Sequence, residues 1–100
     1  MKDARSLALH CKIAHRIEED PRRLEIARQQ LEYLCSRYDD EVPAPYLEWR
    51  RIMQWPWEKI NAFLIALTDD ATRLRSSSPF TASSILTAEE REQIFEAFRA

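Results

Sequence analysis

Hydrophobic positions recur every three to four residues along most of the chain, which predicts helices throughout and no strand. The first helix is expected from Ser6 to Glu19, with Leu7, Cys11, Ala14 and Ile17 on one buried stripe and Ile13 beside it. Asp20-Pro21 closes it and opens the next, since Asp can cap a helix and Pro fits the first helical position. The second helix should run from Pro21 to Tyr38, where Leu24, Ala27, Leu31, Leu34 and Tyr38 give the cleanest amphipathic spacing. A turn this short makes the pair an antiparallel hairpin, residues 6–38. The acidic, proline-punctuated stretch 39–45 reads as a linker.

A cluster of short helices is expected over 46–99. Pro45 opens one from Tyr46 to Gln54 with Trp49, Ile52 and Met53 inward, and Trp55-Pro56 breaks it. Another follows from Pro56 to Leu67, burying Ile60, Phe63, Leu64 and Leu67. Thr68 caps a short helix over Asp69–Arg75. Residues 76–84 hold the longest stretch poor in helix formers, and Thr87-Ala88-Glu89-Glu90 is a capping box. It starts a last helix reaching Arg99, with Ile94, Phe95 and Phe98 buried. The expected fold is therefore all-α and a single domain: a hairpin packed on three to four short helices.

Composition removes several functions. The 100 residues include no glycine, where average usage gives about seven. Rossmann turns, Walker loops and glycine-rich kinase loops all need backbone that only glycine tolerates, so these nucleotide-binding modes are excluded. No apolar run approaches the length of a membrane span, and no signal-peptide core follows the first residues, so a cytoplasmic protein is expected. The net charge of −2 argues against a wholly basic nucleic-acid binder. It is unevenly spread, positive over 1–37 and negative beyond.

Candidate chemistry is sparse. Cys11, His15, His10 and Cys35 are the only soft metal ligands. The hairpin register offsets Cys11 from Cys35 by about 9 Å along its axis, too far for a disulfide and poor for a shared metal. No metal or cofactor is expected, and the cysteines read as small buried apolar residues. Ser76, Ser77 and Ser78 are plausible nucleophiles, but nothing in the sequence brings them to a histidine, so a non-enzyme is expected. Adjacent carboxylates such as Asp69 and Asp70 fit helix starts. They also oppose a DNA-recognition role for that helix. The basic residues Lys12, Arg16, Arg22, Arg23 and Arg28 are the better candidate nucleic-acid face.

The aromatic segment is more informative. Tyr46, Trp49, Trp55 and Trp57 lie within twelve residues, beside Arg50 and Arg51. These residue types dominate interface hot spots, because they bury large areas at small entropy cost. Trp49 is expected in the core. Phe80, in the polar segment Arg75-Ser76-Ser77-Ser78-Pro79-Phe80, is either an anchor for a partner or a plug for its own bundle.

Three blocks of the chain resemble a family of small all-helical bacterial proteins associated with toxin–antitoxin-like gene pairs. They are Leu9 to Ala27 with its Asp20-Pro21 break, Tyr46-Leu47-Glu48-Trp49-Arg50-Arg51-Ile52, and Leu74 to Phe80 followed by Leu86-Thr87-Ala88-Glu89-Glu90-Arg91. The resemblance implies a small cytoplasmic non-enzyme that neutralises a partner protein. The expected binding residues are Tyr46, Trp49, Arg50, Arg51, Trp55, Trp57 and the 75–80 segment. Two alternatives remain open: a DNA-binding autoregulator using the basic hairpin face, and a structural homodimer closed over the aromatic cluster.

Overall fold

Helix α1 (Lys2–Glu19) is the hub of the molecule, packing against α2 (Arg23–Ser36), α4 (Trp57–Leu64), α5 (Asp69–Arg75) and α6 (Ala88–Ala97). Helix α3 (Ala44–Ile52) leans on α2, and α4 on α5. This is a computed structural model that describes residues 2–99, Lys2 by its backbone alone. Six helices and no strand are present among those residues.

Helix α1 begins four residues earlier than the apolar pattern suggests. Ala4 and Arg5 are good helix formers, and Asp3 sits favourably in the first turn while its carboxylate pairs with Arg75. Its buried stripe is Leu9, His10, Ile13, Ala14 and Ile17, rotated from the expected one. Leu7 is only half-buried and Cys11 is exposed, so the reading of Cys11 as a buried apolar residue is corrected. Cys35 is buried.

Helix α2 starts at Arg23 because the entry is tighter than an α-turn. Arg23, Leu24 and Glu25 donate N–H bonds to the carbonyls of Asp20, Pro21 and Arg22, three i→i+3 bonds in succession. Leu24, Ala27, Leu31 and Cys35 face inward, whereas Leu34 is half-buried and Tyr38 lies exposed beyond the helix end. Helix α3 starts at Ala44, with Pro45 in its first turn, and buries Trp49 and Ile52.

Helix α4 stops at Leu64, three residues short of the expected end, and Leu67 is 80% exposed instead of buried. Arg75 Nη1 donates to Leu64 O at 3.0 Å and Ala66 O at 2.7 Å, so the last carbonyl of α4 and one just beyond the helix are satisfied from α5. Thr68 then caps α5, accepting the Ala71 N–H, and Thr87 and Glu90 form the full capping box of α6. No residue of α6 is fully buried, and Phe98 is exposed where burial was expected.

The serine-rich stretch between α5 and α6 lacks regular structure yet forms core. Ser78, Pro79, Phe80, Ser83, Ile85 and Leu86 are all buried. Its serines serve their own backbone: Ser78 Oγ accepts the Phe80 N–H, while Ser83 Oγ donates to Phe80 O and accepts the Ile85 N–H. Short hydroxyl side chains supply these bonds where no helix can. Phe80 packs edge-on to Trp49 at 5.8 Å between centroids, and Phe63 approaches the same indole at 5.8 Å. The Trp49 Nε1–H donates to Leu74 O, so this indole is both packed and satisfied.

Candidate functional site

Two surfaces remain once the core is filled. The first is a cleft of about 450 Å³ between the first turns of α1, the 76–82 turn and α6. Leu9, Leu34, Phe95 and Tyr46 give it an apolar wall, and Ser6, Ser76, Ser77 and Thr81 ring it with hydroxyls. Arg5 and Arg91 enter from α1 and α6. Arg5 lies over the Phe95 ring at 5.2 Å, which fixes its plane by cation–π contact. Arg91 Nη2 donates to the carbonyls of Thr81 and Ser83, anchoring the turn to α6.

Beneath the cleft lies a pair the sequence did not bring together. His10 Nδ1–H donates to Ser6 O at 2.7 Å, which leaves Nε2 as the acceptor of the Ser78 hydroxyl at 2.8 Å. Burial lowers the His10 pKa to about 4, and the Arg75 charge adds to this, so the ring stays neutral. The pairing has the form of a serine–histidine dyad. The Ser78 hydroxyl is nonetheless buried and also holds the Phe80 N–H, so it serves as a lock between α1 and the turn. Beside it, the Arg75 guanidinium is wholly enclosed, bound by both Asp3 oxygens, Thr72 and the carbonyls of Leu64 and Ala66.

The second surface is the junction of α2 and α3. Tyr38 is 42% exposed and Leu47 is 47% exposed, and the Tyr38 ring lies 6.1 Å from that of Tyr46. Arg51 is exposed here and Arg50 half-exposed, the latter 3.4 Å from Glu32. A hollow of about 420 Å³ lined by Arg28, Leu31, Arg50 and Met53 opens nearby between the same helices.

The expected partner-binding residues therefore divide. Trp49, Arg75, Ser78, Pro79 and Phe80 are interior and offer no anchor to a partner in this fold, a correction to the sequence reading. Phe80 is the internal plug. Trp55 and Trp57 are half-buried: Trp55 meets Phe63 edge-to-face under Lys59, and the Trp57 indole donates to Glu18. Tyr46, Arg50, Arg51, Ser76 and Ser77 keep surface. Each member of the basic set is neutralised locally. Lys12 and Arg16 pair with Glu90, Arg22 with Asp20, Arg23 with Glu19 and Arg28 with Glu25. Arg5, Ser6, Thr81, Arg91, Tyr38 and Leu47 escaped the sequence reading. Starting α1 at Ser6 left Arg5 outside the fold, and burial of Tyr38 rested on extending α2 too far.

Comparison of the chain with models of protein families, with curated proteins and with solved structures found no match in any of the three. No helix among the described residues is long and apolar enough to cross a membrane.

Proposed function

We propose that the chain is a non-enzymatic protein-binding module, antitoxin-like, that docks a partner on the Tyr38–Tyr46–Leu47 patch. In this reading α1 and α2 act as an antiparallel hairpin that holds α3 outward. One observation carries the proposal: Tyr38 and Leu47 keep substantial exposure at the α2–α3 junction around the half-buried Tyr46, with Arg50 and Arg51 on the same helix. Tyr and Arg are the residue types that concentrate binding energy, and an apolar side chain surrounded by them loses water on docking. Arg51 makes no ion pair among the described residues, so it is available to a partner carboxylate. The three sequence blocks that resemble toxin-linked proteins supply the partner class, a toxin.

The neutralised basic face gives the DNA-binding alternative no comparable support. The test is affinity capture from the native host with tagged wild-type chain and its Leu47→Asp variant, in nuclease-treated and untreated lysates. A stoichiometric protein that survives nuclease and is lost with Leu47→Asp supports the reading. Recovery of nuclease-sensitive material alone, or only of further copies of the same chain, contradicts it.

A further inference from the structure

We infer that the cleft between α1, the 76–82 turn and α6 is a binding site for an organic phosphate monoester. The inference does not depend on the protein-docking patch. Of the twelve arginines, eight make an ion pair among the described residues. Two of the remaining four, Arg5 and Arg91, face this one cleft from different helices. Arg5 makes no hydrogen bond among the described residues, and Arg91 uses only Nη2, for two carbonyls. No carboxylate lines the cleft. Asp3, the nearest acid in sequence to Arg5, is held by Arg75 and lines an adjoining hollow that Arg5 also borders.

Two guanidiniums that line one cleft with no carboxylate in its wall make it electropositive, and a dianion between them is favoured there. A carboxylate would be satisfied by one fork, whereas a phosphate has three oxygens for two forks and for hydroxyls such as Ser6 and Tyr46. The volume of about 450 Å³ lies within the range of small-molecule sites and far exceeds a bare anion. Leu9, Leu34 and Phe95 make a wall against which a flat apolar body packs. Phosphate between the arginines and an aromatic or heterocyclic body on the wall is the arrangement this cleft fits.

The experiment titrates phenyl phosphate into ¹⁵N-labelled full-length chain and follows the amides of Arg5, Ser6, Ser77, Thr81 and Arg91. Inorganic phosphate and benzoate are run as the separate halves of the ligand. Saturable shifts with phenyl phosphate, weaker binding of both halves, and a loss of about tenfold in Arg5→Gln are expected, the size of one charge-assisted hydrogen bond. Arg91 also holds the 81–83 backbone, so Arg5→Gln is paired with Ser76→Asp, an exposed change that places a carboxylate in the cleft and should abolish binding. Adenosine monophosphate and a short phosphotyrosine peptide present the same group on a free metabolite and on a protein. Whichever binds more tightly than phenyl phosphate identifies the source. Absence of shifts, equal binding of benzoate, or unchanged affinity in folded Arg5→Gln and Ser76→Asp overturns the inference.

Discussion

His10 shows how a polar residue becomes part of a core. Its ring is enclosed, both nitrogens are bonded, and burial favours the neutral form between Ser6 O and the Ser78 hydroxyl. Burial pushes the folded ring down to about 4 from the ordinary histidine value of 6.5, so the unfolded chain binds the proton first as pH falls. The resulting stability is complete above pH 6.5, declines towards pH 4, and amounts to about 3 kcal/mol. Chemical denaturation of wild type and His10→Gln across this window should show that slope in wild type and lose it in the variant. Phe80 makes a second case. Burial beside Trp49 means Phe80→Ala should cost about 3–5 kcal/mol, with Phe80→Leu costing far less, as read from urea midpoints. A partner-facing Phe80 would leave the midpoint almost unmoved.

At the scale of elements, local signals were legible and distant ones were not. Thr68 and the Thr87–Glu90 box act within three residues, so residue type and spacing sufficed to place α5 and α6. The polar 76–84 stretch was legible only as poor in helix formers, and Phe80 within it stayed open between partner anchor and internal plug. Its burial depends on His10, 68 residues away in sequence, and Arg75 is held by Asp3, 72 residues away. The end of α4 was likewise not legible, since a guanidinium from α5 binds its last carbonyl, Leu64 O, and that of Ala66 just beyond. Helix α6 follows from the same logic. With no fully buried residue, it is held by half-buried Ile94 and Phe95, by its cap and by Glu90. Glu90 bonds Arg16 and also receives the Thr87 N–H; that backbone bond, then Arg16, holds its carboxyl below the usual glutamate range. Thr87→Ala should cost about 1 kcal/mol and hasten hydrogen exchange in α6 well before α1. Equal acceleration in both helices would show that α6 does not open alone.

At the scale of the whole molecule, α1 is enclosed by four other helices in a body of 41 × 28 × 25 Å. The Cα radius of gyration, 13.3 Å, is that of a compact single domain of this length, about 13 Å. Trp49 and Phe80 fill the centre edge-to-face, with the half-buried Phe63 against the same indole, so these rings stabilise the fold. The aromatic enrichment around residues 46–57 was visible in the sequence, but its division between core and surface was not. That division depends on which side of α3 meets α2, and it turns Trp49 inward while Tyr46 and Leu47 keep exposure.

The most direct test compares partner capture per folded molecule for Leu47→Asp and Phe80→Leu, each checked by thermal unfolding. The account predicts that Leu47→Asp keeps the wild-type melting temperature and loses the partner. Phe80→Leu should melt earlier and retain the partner at temperatures where it is folded. If Leu47→Asp still captures the partner while folded Phe80→Leu does not, the docking surface lies at the 75–80 segment and the proposed patch is wrong.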